Sequence, residues 1–362
     1  MSNLIKHLYI HIPFCKSKCP YCDFYSISSA NQQTKDQYTD SLIKELKSKT
    51  TLLSQPLLSL YLGGGSPLML GIDNLKKLFK AFGSYIDIKT ESTIELNPEH
   101  LENEDIRCEL IMLLKENRIN RVSIGVQTIN EQIKNLISRT YSLEKLITLH
   151  DALKKEGFNI SFDLMFGLPN QTVSMLQNDL SFIKKCSPDH VSMYLLTPPE
   201  NYSLTRLLPN EETTEQMFNI THDKMIAFGY THYEISNYSV SGKESVHNMA
   251  YWKRVSYLGL GAAAHSFLEQ QHLRAWHTKD VKSYINNPLS VISEKITKEM
   301  KYTEIIMLGL RTFNIGVQEK IFKNNKYQTL LSDGLLERRG NNIFVPYKHI
   351  SILDSIIKEL TC

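Results

Sequence analysis

"HIPFCKSKCPYCDFYS", residues 11–26, sets three cysteines, Cys15, Cys19 and Cys22, in a loop that directly follows the apolar run Leu8-Tyr9-Ile10-His11-Ile12. The run is short, apolar and bounded by a proline, as a buried strand is. Three thiols at spacings of four and three admit three chemistries. Structural zinc with His11 as fourth ligand usually draws on two separated ligand pairs, and the chain has no second pair. Inert reduced thiols are the plain alternative. A cubane iron–sulfur cluster held by three thiolates leaves one iron without a protein ligand, free to bind a substrate or cofactor.

The pattern around the loop repeats along the chain. Strand-like runs occur at Leu8–Ile12, Leu58–Leu62, Thr93–Leu96, Arg121–Val126, Ile160–Phe166 and His190–Leu195. Each precedes a segment with helical spacing: Asp36–Leu53, Asp73–Phe82, Leu110–Glu116, Leu143–Lys155, Val173–Lys184 and Thr213–Phe228. Six βα units in series predict an α/β fold with parallel strands, as a partial (β/α)6 barrel or an open sheet. In a barrel, the site lies at the C-terminal ends of the strands. Polar and glycine-rich signals gather there: the cysteine loop, Gly63-Gly64-Gly65, Asn97-Pro98, Gln127 and Gly167-Leu168-Pro169. Past Gly229 the chain turns rich in Tyr, Ser and Asn, and from about Lys298 a mostly helical tail ends in "LLSDGLLERRGNNIFVP", a helix, turn and short hairpin resembling a wing.

Composition narrows the class. With 362 residues, 42% hydrophobic and 22% charged, the chain reads as globular with ample core. Its 41 basic and 38 acidic residues leave a net charge of +3, too little to draw the molecule onto nucleic acid or an anionic membrane. Residues near Met1 lack a signal-peptide pattern, and Cys108, Cys186 and Cys362 are scattered, unlike a secreted disulfide framework. The expected location is the cytoplasm.

The CxxxCxxC spacing, with Tyr21 before the last cysteine, resembles the radical S-adenosylmethionine superfamily, whose open iron chelates the amino and carboxylate groups of that cofactor. The resemblance implies a [4Fe-4S] cluster on Cys15, Cys19 and Cys22, and S-adenosylmethionine beside it. "YLGGGSP" falls where that family has its glycine-rich cofactor segment, which carries Gly64, Gly65 and Ser66 over as cofactor contacts, although a tight turn alone would also use glycines. Glu95 in "IELNP", Gln127 in "RVSIGVQT" and Asp163 in "SFDLMFGLP" match the family's polar cofactor contacts, with a solvated strand-end carboxylate or loop caps as the plain alternatives. Arg139 suits a carboxylate, since a guanidinium donates two parallel hydrogen bonds. Tyr9 and Tyr21 are expected to pack around cluster and cofactor.

"YIHIPFCxxxCxYCDF", "GGGSP", "GVQ" and "DLMFGLP" together resemble the group that holds oxygen-independent coproporphyrinogen oxidase and its haem-chaperone relatives. The oxidase carries a further cysteine two residues beyond the triad, where this chain has Phe24. Residues 247–252 carry the HNxxYW pattern of the chaperone branch at His247, Asn248, Tyr251 and Trp252. Ala262 and Ala263, where that branch more often has proline and glycine, depart from it. The resemblance implies a haem chaperone that binds haem and a cofactor-ligated cluster and lacks a catalytic residue set, with oxidative decarboxylation of coproporphyrinogen as the competing activity. His247 is the first candidate haem ligand, with a helix cap or a satisfied polar core residue as its plain reading. His265 is the second, among small residues Gly261, Ala262 and Ala264 that would admit a large ligand or equally let helices pack closely. Partners implied are haem and apo-haemoprotein acceptors, with room for a homodimer and for peripheral membrane association through acceptors. Nucleic acid is not expected, because Arg338 and Arg339 are the only obvious basic pair of the wing; the tail is expected to cover the barrel mouth or meet a protein. The expected division is a barrel over residues 1–235, an extension carrying HNxxYW over 236–297 and a small winged-helix-like domain over 298–362.

Overall fold

The structure, a computed structural model, describes residues 4–323 and 325–361; Cys362 lies outside the described residues. The βα series is present from the start: β1 (His7–Ile12), α1 (Gln32–Ser48), β2 (Ser59–Gly64), α2 (Ile72–Phe82), β3 (Glu91–Leu96), α3 (Glu104–Glu116), β4 (Arg121–Gln127), α4 (Glu131–Leu136), α5 (Leu143–Lys155), β5 (Asn159–Phe166), α6 (Val173–Cys186), β6 (His190–Leu195) and α7 (Glu211–Ala227). Helix starts follow the sequence. Asn31, Asn103 and Asn210 each sit at an N-cap and accept from the backbone N–H three residues on, at Thr34, Ile106 and Thr213, which satisfies a donor the helix leaves orphaned. Several boundaries differ from expectation, among them the start of α3, which lies at Glu104 rather than Leu110. The first helix starts earlier, on its Asn31 cap, and ends at Ser48, with Thr50–Leu52 as a separate 3-10 turn. The short α4 was not expected, its six residues being fewer than the window over which helical periodicity is read.

Strands β1 to β6 lie side by side and parallel, in chain order. The edges are what the sequence hid. A hairpin of β7 (Thr231–Glu234) and β8 (Asn237–Ser239) adds antiparallel to β6. After α8 (Val246–Trp252), β9 (Leu258–Leu260) pairs parallel with β1. The order is β7-β8-β6-β5-β4-β3-β2-β1-β9, so β7 and β9 are edges and the barrel stays open. Strands β8 and β9, both within residues 236–297, thus extend the same sheet.

One core spans this sheet and its helices, with Leu8, Leu62, Ile94, Ile124 and Phe162 sealed from solvent. Truncating Phe162 to Ala would cost about 3–5 kcal/mol. Beyond β9 come a three-stranded meander, β10 (His265–Leu268), β11 (Leu273–Trp276) and β12 (Ile292–Lys295), with α9 (Val281–Asn286) between the last two. The tail has its own core around Ile306, Ile343, Ile357 and Leu360. It is built from α10 (Lys298–Gly309), β13 (Val317–Gln318), α11 (Lys326–Ser332), β14 (Glu337–Arg339), β15 (Asn342–Phe344) and α12 (Leu353–Thr361). Its hairpin is the expected wing. Arg338 and Arg339 there are paired with Glu319 and Glu337, which removes a free basic face. The tail docks on the β7 side, where Tyr347 stacks on Phe218 of α7 at 5.5 Å and Phe313 N donates to Tyr233 O at 3.0 Å.

Candidate functional site

Parallel register fixes what meets at the strand ends. His11 is level with Gly63 and Ile12 with Gly64, so the cysteine and glycine loops leave the sheet together. Gly65 N donates to Ile12 O at 2.8 Å and Ser66 N to Phe14 O at 2.8 Å, which stitches the loops to each other. Glu95 is level with Ser123, and Gly125 with Asp163. These residues open on a cavity of about 900 Å³ that Cys15, Cys19 and Cys22 also line.

The cavity wall is made of close fits. A Cβ on Gly65 would lie 3.0 Å from Cys15 Sγ and 2.8 Å from Phe14 O. Gly64 has φ +110° and a Cβ there would meet the His11 ring at 2.4 Å, so only glycine serves. Gly63 gives way in the same manner to the Glu95 carboxyl, 2.7 Å from its absent Cβ. Gly64 N donates to Glu95 Oε2 at 3.0 Å and Tyr61 O–H to Oε1 at 2.8 Å. The N–H groups of Gly64, Gly65 and Ser66 are therefore all spent, and what the loop can offer a ligand is carbonyl oxygen. Ser66 itself is sealed, its hydroxyl bonded to His100 Nδ1 at 3.0 Å, and does not line the cavity.

Burial sets the electrostatics. It raises Glu95 to about 7 against the hydrogen bond from Tyr61, with the Asp163 charge adding to the rise. Asp163 is likewise raised by burial, opposed by a hydrogen bond from Ser123 Oγ at 2.8 Å. Burial also raises the Cys15 and Cys22 thiols, so metal binding there must displace protons. Gln127 sits in the left-handed region at φ +64°, where β4 bulges against β5, and lines the cavity.

Arg139 is placed as the sequence suggested but bonded otherwise. Its Nη1 reaches Glu99 Oε1 at 2.8 Å and Asn97 Oδ1 at 3.1 Å, and Nη2 donates to Gly125 O. Three of its five N–H donors are thus engaged, which leaves Nε–H and one Nη2–H for a carboxylate. Nε is buried without a partner, as is Glu99 Oε2. Glu99 and Asn97 were not singled out as site residues; "LNPEH" directly after β3, at a strand C-terminus, was their only signal.

Other expectations change. Tyr21 lines the cavity, whereas Tyr9 does not: it stands two residues back along β1, its O–H bonded to His11 Nδ1 at 2.9 Å and its ring 6.1 Å from that of Tyr61. His11 cannot serve as a fourth zinc ligand, because Nδ1 accepts from Tyr9 and Nε2 donates to Tyr25 O at 2.9 Å. Among the described residues no three His, Cys, Asp or Glu side chains converge as one metal ion requires; a four-iron cubane holds its thiolates further apart. No described residue beyond Thr197 lines the cavity, so the tail does not cover it; the tail docks on α7 and β7 and, through Glu304, on Arg254 and Arg274.

A model of the radical SAM superfamily matches residues 9–183. The haem chaperone HemW of Bacillus subtilis (strain 168) is 35% identical over 354 residues, covering 91% of this chain and 89% of its own. The chain belongs to the HemW family. HemW of Lactococcus lactis subsp. lactis (strain IL1403) is 33% identical over 329 residues, covering 87% of this chain and 84% of its own. The fold is shared with coproporphyrinogen III oxidase (HemN) of Escherichia coli, whose solved structure aligns at a TM-score of 0.83 and 22% identity over 99% of this chain and 91% of that one.

Family membership supplies a [4Fe-4S] cluster and S-adenosylmethionine, and the cavity fits them: three thiols at one mouth, and buried unpartnered Arg139 Nε and Glu99 Oε2. Phe24 is 67% exposed at the cavity mouth. His247 is closed in. Its Nδ1 is 2.7 Å from Ser59 Oγ and its Nε2 2.8 Å from Tyr251 O–H, with 1% of the residue exposed. Ligating iron there would mean breaking one of these bonds. His265 is exposed, its ring stacked 5.8 Å from Trp276.

Proposed function

We propose that this protein is a haem chaperone that binds haem together with an S-adenosylmethionine-ligated [4Fe-4S] cluster and passes haem to apo-haemoproteins. The observation that carries the reading is the likeness to HemW of Bacillus subtilis over 91% of the chain. Cys15, Cys19 and Cys22 would hold the cluster. Glu95, Gln127, Asp163 and the glycine carbonyls are acceptors and suit the ammonium and hydroxyl groups of the cofactor, while Arg139 offers its Nε–H and its second Nη2–H to the carboxylate. When bound, the cluster and cofactor supply one-electron chemistry. The residues around them orient the cofactor and keep water from the thiolates.

Phe24 favours this reading over the oxidase, which has a cysteine at that position. The cytoplasm is the proposed location, in keeping with three clustered and otherwise scattered cysteines; among the described residues no helix is long and apolar enough to cross a membrane. The separate apolar core of the tail supports a third domain over 298–362, beside 1–235 and 236–297. A homodimer and contact with membrane-bound acceptors belong to the same proposal.

The test is an anaerobic incubation of reconstituted protein with S-adenosylmethionine, a reductant and coproporphyrinogen III. The porphyrinogen is expected to remain unchanged; protoporphyrinogen in the mixture would overturn the chaperone reading in favour of the oxidase.

A further inference from the structure

A second cavity, of about 760 Å³, lies at the N-terminal ends of β1 and β2, at the opposite end of the strands from the cysteine loop. Its volume is that of a small-molecule site, which runs from roughly 300 to 1,000 Å³. One wall is the entry to the sheet: Leu4, Lys6, His7 and Leu58. The other is α8, which presents Val246, Met249, Ala250 and Lys253, one helical face at spacings of three, one and three. Leu4, Leu58, Val246 and Val255 are large apolar side chains the fold leaves exposed, and all four meet here, a concentration that marks a binding surface.

The polar groups of the cavity suit one kind of occupant. Lys6 and Lys253 are exposed, make no ion pair among the described residues, and stand near enough to His7 for their charges to act on its ring. Arg254 is taken by Glu269 and Glu304, and among the described residues Glu244 is the one lining carboxylate without an ion pair. His7 is only 5% exposed. Its Nδ1 is 2.8 Å from Ser59 Oγ, and its Nε2 has no hydrogen bond among the described residues, on a ring that lines the cavity. The lining therefore offers an occupant apolar side chains from both walls, two cations without an ion pair among the described residues, and an imidazole nitrogen.

We propose that this cavity takes haem, with His7 Nε2 as axial ligand to iron and Lys6 and Lys253 at the two propionates. The inference rests on the haem-chaperone reading and gives it a site. It also gives the HNxxYW motif a role that a closed-in His247 can perform. Ser59 Oγ lies between His7 Nδ1 and His247 Nδ1, and His247 Nε2 reaches Tyr251. Such a chain has two proton arrangements. Iron selects the one in which His7 Nδ1–H donates to Ser59, Ser59 O–H to His247 Nδ1, and His247 Nε2–H to Tyr251, leaving the His7 Nε2 lone pair for the metal. His247 is then a positioning residue. Burial, aided by the two lysines, lowers His7 to about 4, so the imidazole is neutral at pH 7 and needs no deprotonation to bind iron.

Cluster-loaded protein titrated with haemin, followed by the Soret band, tests the site. His7→Ala is expected to weaken binding by at least about tenfold, the scale on which even the outer partners of a metal ligand act, and to shift the band. Free imidazole should restore the band to His7→Gly, which separates a lost ligand from a lost fold. Leu58→Trp, a surface change, should fill the mouth and exclude haemin while the cluster absorbance stays. Ser59→Ala and His247→Ala should keep a histidine-ligated spectrum at reduced affinity, and His265→Ala should bind as wild type. If wild type binds no haemin, the chaperone reading fails and the site with it. If wild type binds and both His7→Ala and Leu58→Trp match it in affinity and spectrum, this inference alone is overturned.

Discussion

Arg139 Nη1 lies 2.8 Å from Glu99 Oε1 in the wall of the cluster cavity, with 4% and 14% of the two side chains exposed. A buried pair of this kind is costly to break from one side, because the survivor stays charged and unpaired.

Arg139→Ala should therefore destabilise the protein by about 3–5 kcal/mol and weaken S-adenosylmethionine by about 1.5–3 kcal/mol through loss of the Nε donor. The double variant Arg139→Met, Glu99→Gln should recover most of the stability and none of the affinity. Denaturant midpoints and an anaerobic calorimetric titration read the two effects separately; full cofactor affinity in the stable double variant would remove Arg139 from the site.

Glu95 links the cavity to pH. Its carboxyl is raised from 4.5 to about 7 by burial, so between those values the folded state holds a proton that the unfolded chain has released. Stability from this group is complete below about pH 4.5 and is lost as pH climbs through 7, a change on the order of 3 kcal/mol. Asp179, raised to about 7 by burial, adds a loss that begins near its own unfolded value of 3.8 and ends in the same place. Glu95→Gln should flatten the decline in denaturant midpoint over this interval without abolishing it. Profiles that run parallel for wild type and variant would show that Glu95 titrates normally.

Glycines separate packing from backbone strain. Gly64→Ala puts a methyl group into the His11 ring and should prevent cluster assembly, leaving a protein without the brown iron–sulfur absorbance. Gly71, at φ +94° with nothing within 4 Å of its absent Cβ, supplies the comparison. Gly71→Ala should cost on the order of 1–2 kcal/mol of backbone strain and keep its iron.

Much of this site was legible because its residues follow strands directly. Cys15, Gly64, Glu95 and Gln127 each sit at or just past a parallel strand end, and parallel register brings such ends together without further information; Asp163 lies further back, within β5. What was not legible depends on partners remote in sequence. His247 reads as an accessible ligand until Ser59, 188 residues away, is found on its Nδ1. Arg139 reads as a wholly free guanidinium until Glu99, Asn97 and Gly125 O take three of its five donors. Strand β9 escaped notice because Leu258–Leu260 is too short to show a period, and only its pairing with β1 makes it a strand.

Three thiols lining one cavity should hold about four irons, the content of a cubane cluster. Replacing Cys15, Cys19 and Cys22 together by Ala should leave a colourless protein after anaerobic reconstitution. Iron retained by the triple variant, or zinc in place of iron in the wild type, would contradict the assignment.

Haem transfer tests the central claim most directly. Protein loaded with one equivalent of haemin is mixed with an apo-haemoprotein of distinct Soret maximum, and the two are separated before spectra are taken. Haem should move to the acceptor, which gains its own spectrum while the donor loses its band and keeps its cluster. Haem that remains on the donor with an unfilled acceptor, at concentrations where free haemin fills that acceptor, would contradict it.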